Sequence, residues 1–450
     1  MNPHQERHTA ELHQMQRAIA GLLVYQDILA GEVGSALIDL LQAIANRDRS
    51  QGNALICLTA YGRFFKALAT ENCSWEEYLI DRILQAENPF SLQAQKIDSR
   101  FTSSLDKYLS PALVMAAKQD LQSLNLLYTY GTYLPQWVQQ VGGNPVCWIE
   151  STPEPSSHQD RIRDAIVSKL AAKSWGDLVE DLARYYHQAG VGIFGKYRAL
   201  RWQERLVGIT YPDRIHIDNL VGYELQKDTI IKNTQALLSG QPALNILLYG
   251  GKGTGKSSLI KALLNYYSDN QLRLIEVSKS DMRQLPLILD LVTDSPQKFI
   301  IFIDDLSFEA DDEAFKALKV VLEGSVTAKP ANVVVYATSN RRHLVREYFA
   351  DRPRPQDADE IQMWDTVQEK LSFSDRFGIT LTFEPADQPK YLEIVYHLAT
   401  SAQLLIDRDE LEKRALQWAT RHNGRSGRTA RQFIDYLIGN GDRTEQMRES

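Results

Sequence analysis

Cysteine is scarce in this sequence, with only Cys57, Cys73 and Cys147 in 450 residues. Their number is odd, they lie far apart, and none has metal-ligand spacing. A disulfide framework and a thiolate metal site are therefore both excluded. They read as reduced thiols, which points to a cytoplasmic protein. No apolar run approaches the ~18 residues of a membrane span. The first residues, MNPHQERHTAELHQ, are polar and carry acids, unlike a signal peptide. Excess positive charge is missing as well. A net charge of −7 argues against a chain that binds nucleic acid with its whole surface, although a local basic face is compatible with it. No period of 20–50 residues repeats, so solenoids and propellers are excluded.

What is present is ordinary globular composition, 44% apolar and 24% charged. A chain of this length is expected to form two or three domains. The first 150 residues show helical periodicity and little else. Leu37, Leu40, Leu41 and Ile44 fall at i, i+3, i+4, i+7 and make one apolar face. Similar stripes run through residues 54–68 and 104–141. His4 and His8 have the i, i+4 spacing of two helix-borne metal ligands, but a solvated first helix accounts for them without a metal. Tyr128, Tyr130 and Tyr133 read as packing residues. STPEPSSHQD, residues 151–160, reads as a linker or long turn. Helical pattern resumes at Ile162, Ile166 and Leu170. Ser174 and Asp177 stand at capping-box spacing, and a helix through Leu178, Leu182 and Tyr185 ends near Gly190.

From residue 243 short β-rich runs alternate with helical runs. ALNILLYG, LRLIEVS, KFIIFID, NVVVYATS and ITLTFE are each followed by a helical or charged segment. Continuous apolar strands alternating with amphipathic helices imply a parallel sheet covered on both faces. After Pro385 the chain turns helical to its end. The expected fold class is multidomain, in four parts. Residues 1–150 form an all-helical N-terminal domain and 151–217 a helical linker region. Residues 218–385 form an α/β core and 386–450 a small helical domain.

The strongest local signal is GGKGTGKSS, residues 250–258, in which Gly250, Gly255, Lys256 and Ser257 satisfy G-x-x-x-x-G-K-[ST]. A strand is expected before it and a helix after it. Glycines at 250, 251, 253 and 255 let the backbone take conformations closed to larger residues and present N–H groups to phosphate oxygens. Lys252, Thr254 and Ser258 complete the loop. The helix from Lys256 points its N-terminal dipole at the same anion. Lys256 supplies charge for the β and γ phosphates, and the Ser257 hydroxyl is a ligand for Mg²⁺. These features predict a site for a nucleoside triphosphate and Mg²⁺, and the motif by itself does not select the nucleotide or require its hydrolysis.

An apolar strand ends in acids at FIIFIDDLSFEADDEA. Asp304 is placed to hold the metal with Ser257. Asp305 is then the candidate to orient or deprotonate the attacking water, with Glu309 an alternative if the turn folds back. Asp is one methylene shorter than Glu, so either the backbone compensates or hydrolysis is slow. Asp311, Asp312 and Glu313 suit the acidic first turn of a helix. Phe315, Leu318 and Leu322 form its expected buried stripe, and Gly324 its stop.

At these residues the chain resembles the AAA+ ATPase superfamily, and more narrowly the DUF815 family of predicted bacterial ATPases. The resemblance runs over residues 215 to 440. It is carried by the phosphate loop with its flanks, FIIFIDDLSFE, LEGSVTAKPANVVVYATSNRRHLVRE, EKLSFSDRFGITLTFEP and GRSGRTARQFI. It implies an AAA+ core with a helical lid at 386–450. It implies that Asn340 is the sensor-1 amide, the alternative being a plain strand-end turn residue. It implies that Arg376 is an arginine finger offered to a neighbouring subunit of a homo-oligomer, the alternative being a surface pair with Asp375. Arg428 matches the sensor-2 arginine, with Arg431 one helical turn on as the alternative. Val221–Gly222–Tyr223 resembles the segment near adenine. Two departures stand out. The acid pair is Asp–Asp rather than Asp–Glu, and SKSDMRQLPLILDLV reads as a capped helix where a threading machine carries an aromatic-glycine pore loop. The implied activity is ATP hydrolysis coupled to a conformational change on an unknown macromolecular target. Two alternatives are a nucleic-acid loader using Arg341, Arg342, Arg346, Arg352 and Arg354, and a slow nucleotide-gated scaffold.

Overall fold

The computed structural model describes residues 3–46, 51–97, 105–140, 144–146, 158–267, 271–307, 313–323, 330–340, 372–422 and 424–440. The chain divides into two compact units, Met1–Lys196 and Tyr197–Ser450. Among the described residues no helix is long and apolar enough to cross a membrane.

The first unit is helical. Its main helices are Pro3–Ala20, Glu32–Ala45, Gln51–Glu71, Trp75–Leu84, Pro111–Gly131, His158–Ala172 and Val179–Ala189. Leu37, Leu40, Leu41 and Ile44 all enter its core. Local chemistry sets the helix starts. Ser74 and Glu77 form a reciprocal capping box, with bonds of 3.1 and 2.8 Å, ahead of Trp75–Leu84. Asp120 is fully buried, yet its carboxylate accepts the N–H groups of Leu23, Val24 and Tyr25 at 2.7–3.0 Å. Those bonds offset the cost of burying the charge. Trp137 Nε1 donates to His8 Nδ1 at 3.0 Å, so His8 has a packing partner. Tyr128 packs on Trp175 at 5.0 Å between ring centroids.

The expected capping box at Ser174 does not form. The Ser174 carbonyl, not its hydroxyl, accepts the Asp177 N–H at 3.0 Å, because the segment is a 3₁₀ turn, Trp175–Leu178. The linker expectation at 151–160 falls mostly outside the described residues, and helix begins already at His158.

Among its described residues the second unit has seven strands: β1 Ala199–Trp202, β2 Leu206–Gly208, β3 Ile246–Gly250, β4 Leu272–Glu276, β5 Lys298–Ile303, β6 Val333–Ser339 and β7 Ile379–Phe383. Their order across the sheet is β2-β1-β4-β5-β6-β3-β7. Every pairing is parallel except β1 with β2. Side chains alternate between faces. Ile246, Leu248, Leu274, Ile300, Phe302 and Tyr336 pack under helices Glu224–Leu238 and Lys256–Tyr266. Their neighbours Leu247, Ile275, Ile301 and Val335 are equally buried. Burial on both faces is why these strands read as continuous apolar runs.

The β1–β2 hairpin corrects the helical-linker expectation for residues 151–217. Its strands have four and three residues, too few for periodicity to register. Trp202 of β1 is buried and donates through Nε1 to Gln284 Oε1 at 2.7 Å. Gln284 ends the 3₁₀ turn Lys279–Gln284, which leads into helix Leu285–Thr293. The segment expected to be one capped helix is thus a 3₁₀ turn plus a helix, tied to the hairpin. In helix Glu313–Glu323 the buried positions are Ala314, Leu318 and Val321, while Phe315 and Leu322 are half-buried. The stripe is rotated from the expected one. After β7, helices Gln388–Ser401, Arg408–Arg421 and Gly427–Gly439 share a core that includes Tyr391, Val395, Ala415 and Phe433.

Candidate nucleotide-binding site

β3 lies between β6 and β7, while the chain after β3 returns to β4 on the far side of β5. Ligands in open α/β sheets collect at the carboxyl ends of strands where the winding direction changes. Here the loop after β3 forms that edge. Its glycines have different reasons. Gly250 pairs with Phe383 of β7, and a Cβ there would stand 2.0 Å from the Phe383 carbonyl oxygen, so β7 itself demands glycine. Gly253 and Gly255 have φ of +80° and +91°, the left-handed region where a side chain is strained. Gly251 has neither constraint: a Cβ there would meet its nearest neighbour, Pro385, at an ordinary 3.7 Å. Successive backbone turns of this kind point N–H groups inward.

Gly255 caps helix Lys256–Tyr266. Lys256 is 6% exposed, and its ammonium donates to the carbonyls of Gly250 at 2.8 Å and Gly251 at 2.7 Å. Burial holds its pKa below the ordinary lysine value; Asp304 and Asp305 oppose that shift, and Arg428 adds to it. The next residue, Ser257, donates its hydroxyl to Asp304 Oδ1 at 2.6 Å. The loop after β3 and the tip of β5 therefore meet at one carboxylate oxygen.

Thr338, next to last in the largely apolar β6, is a residue that sequence reasoning passed over. Its hydroxyl donates to Asp304 Oδ1 and accepts the Asp305 N–H at 3.0 Å. The only signal was a hydroxyl in a run of buried apolar residues. Asp305 has φ +53°. Asp is one of the few side chains that enter this region with any frequency. Asn340, one residue beyond β6, donates Nδ2 to Asp305 Oδ1. Its Oδ1 lies 3.5 Å from Lys256 Nζ, an accepting contact at the limit of hydrogen bonding.

These groups line one cleft of about 790 Å³, within the size range of small-ligand sites. Lys252 through Ser258, Asp304, Asp305, Asn340, Arg428 and Arg431 all reach its wall, whereas Gly250, Gly251 and Arg376 do not. Arg376 sits half-buried at the end of the 3₁₀ turn Ser372–Arg376. The wall also carries apolar side chains, Leu220, Val221, Ile394 and Leu398, and Leu220 lies 4.0 Å from where a Cβ on Gly255 would stand. Tyr223 lines the cleft as well. Its ring packs on Phe383 at 4.8 Å, and Lys390 Nζ stands 3.7 Å from the ring centroid. Lys390 and Leu398 come from the C-terminal helices, so those helices cover the cleft. Among the described residues no group of three or more His, Cys, Asp or Glu side chains gathers to hold a metal unaided. Glu309, Asp311, Asp312, Gly324 and the arginines at 341, 342, 346, 352 and 354 lie outside the described residues.

A parallel sheet of this order, with a G-x-x-x-x-G-K-S loop at its switch point and a helical lid behind it, is a P-loop NTPase core of the AAA+ type. Among its described residues the N-terminal unit is helical throughout. The model of the family described as "Protein of unknown function (DUF815)" matches residues 195–441, more than half of the sequence, and the chain belongs to that family. No curated protein matches the sequence. Among solved structures it is similar to the RuvB Holliday junction branch migration motor of Thermotoga maritima, at 17% identity and a TM-score of 0.31. That alignment covers 50% of this chain and 72% of the other. A point mutant of the same RuvB aligns with the same figures.

Proposed function

We propose that this protein is a magnesium-dependent ATPase whose lid and partner subunits respond to the state of the bound nucleotide. The observation that carries the reading is the shared oxygen, Asp304 Oδ1, which takes the Ser257 hydroxyl at 2.6 Å. A hydroxyl and a carboxylate at one point are the hard oxygen donors that Mg²⁺ prefers, with phosphate oxygens and water completing its shell. Ser257 and Asp304 would hold the ion, which when bound neutralises charge on the β and γ phosphates.

The chain's own groups divide the remaining work. The N–H groups of the loop and the Lys256 ammonium bind the phosphates. The apolar part of the wall, with Leu220, Val221, Ile394 and Leu398, takes the adenine. Asp305 accepts a proton from the attacking water, and Asn340 holds the Asp305 carboxylate in place while its own oxygen faces Lys256. Water adds to the γ-phosphorus, the bond to the ADP oxygen breaks, and inorganic phosphate leaves. Arg428 lies on the lid over the phosphate end, with Arg431 one turn further, so lid position depends on phosphate charge. Arg376 is off the wall of its own cleft, and we assign it to the cleft of a neighbouring copy in a homo-oligomer. The target is a macromolecule not identified by this chemistry.

The test is calorimetric titration with ATP and Mg²⁺, coupled to turnover and to a mass measurement in solution. Saturable binding lost in Lys256→Ala, and turnover that needs both ATP-driven assembly and Arg376, are expected. The finger assignment fails if Arg376→Ala hydrolyses ATP at the wild-type rate in an assembled state. The whole reading fails if ATP does not bind.

A further inference from the structure

The lid also reaches the phosphate loop without its arginines, through one peptide group. Lid helix Gly427–Gly439 is capped by Ser426, whose Oγ accepts the Thr429 N–H at 3.1 Å. The N–H of Arg428 belongs to the first turn, where no partner within the helix exists. It is directed at the carbonyl oxygen of Gly253 in the phosphate loop, at 3.4 Å. Two glycines make the approach possible. A Cβ on Gly427 would stand 3.2 Å from that same oxygen, and a Cβ on Gly253 would stand 2.8 Å from Ser426 Oγ.

A peptide group is planar, with its C=O and N–H on opposite sides. Holding the Gly253 C=O toward the lid turns the N–H of Thr254 to the side away from it. Thr254, Gly255 and Lys256 continue along the cleft wall. Gly253, at φ +80°, has no Cβ to restrict the orientation of this peptide. The contact therefore selects one orientation of a group that has several open to it. We propose that the lid helix, through the bare backbone at Gly427, sets the Gly253–Thr254 peptide and so pre-organises the phosphate-binding loop. Gly427 is a positioning residue that acts through Gly253. Because coupling is reciprocal, phosphate on the loop favours the docked lid to the same degree. The inference rests on the reading of the cleft as a nucleotide site.

The experiment compares Gly427→Val and Gly427→Ala with Gly439→Ala, at the other end of the same helix, where a Cβ meets nothing within 4 Å. Affinities of the full chain for ATP, ADP and AMP are measured with Mg²⁺. Gly427→Val should weaken ATP and ADP by at least about fivefold. AMP, which lacks the β phosphate, should bind as before. The melting temperature without nucleotide should stay within about 2 °C, and Gly439→Ala should match wild type throughout. If Gly427→Val lowers the melting temperature further, Gly427→Ala is the informative variant, with a loss of roughly two- to threefold confined to ATP and ADP. Unchanged ATP affinity overturns the proposal. So does an equal loss for AMP, which would mean that the lid has left the base end as well. Wild-type protein that binds ADP but shows no such dependence on Gly427 leaves the nucleotide reading standing and removes this one. Wild-type protein that binds no nucleotide removes both.

Discussion

Asn340 and Asp305 stand at the ends of neighbouring strands, and the Asn340 amide nitrogen donates to the Asp305 carboxylate. The same amide turns its oxygen toward Lys256. One side chain thus connects the loop that would hold phosphate with the acid that would activate water. Asp305→Asn keeps the shape and removes the base. Turnover should fall roughly 100-fold or more, while ATP stays bound. Single-turnover assay and filter binding on the same preparation check both halves. A variant that hydrolyses ATP normally would assign the base elsewhere.

The left-handed backbone at Asp305 bears on why the acid is short. Glu gains reach but enters this region less readily than Asp. Asp305→Glu is expected to cost about 1 kcal/mol of stability, or a fall of roughly 2–4 °C in melting temperature. Asp305→Gly, free of that strain, should not lose stability in this way. Thermal unfolding of the two variants side by side decides the matter, and a Glu variant as stable as wild type would show that the backbone relaxes.

Asp304 holds the Ser257 and Thr338 hydroxyls on one oxygen. In Asp304→Asn an oxygen remains to accept them, but the charge is gone. The Mg²⁺ concentration for half-maximal turnover should rise by about tenfold or more, with little change in fold by circular dichroism. Chelation of Mg²⁺ should stop wild-type turnover. Unaltered Mg²⁺ dependence in the variant would remove Asp304 from the metal site.

Lys256 offers a pH test whose sign follows from its burial. Its pKa in the folded protein lies below the ordinary 10.5. A bound polyphosphate favours the charged form, so binding takes up a proton in a window that opens at the lowered value. ATP affinity should therefore fall as pH rises through that window. For folding of the nucleotide-free protein the sign is reversed: the unfolded chain holds more protons there, so this group's contribution to stability rises with pH. In Lys256→Arg, whose guanidinium stays charged, the alkaline loss of affinity should vanish even though binding itself is weaker. Titrations in buffers of different ionisation heat detect the proton uptake directly.

Much of the second unit was legible because its central strands, β3 to β6, are buried on both faces. Five apolar runs stood out, and five parallel strands, β3 to β7, are found at them. The phosphate loop was legible for a related reason: close backbone approach and positive φ restrict residue choice, and glycines at 250, 253 and 255 record that restriction. The β1–β2 hairpin was not legible, since three or four residues carry no measurable period. Thr338 was hidden because a hydroxyl inside a strand says nothing of which neighbour it will face.

Local chemistry along the chain determined the elements, the loop motif and the pair of acids after an apolar strand. Tertiary structure alone decided that β6 lies between β5 and β3, which brings Thr338 and Asn340 to the acids. It alone set Gly427 of the lid against Gly253, 174 positions away by the difference of their numbers. The physical reason is the range of the forces involved. Propensity, capping and backbone sterics act over a few residues, whereas hydrogen bonds between distant segments exist only after burial of the sheet has fixed which strands are neighbours.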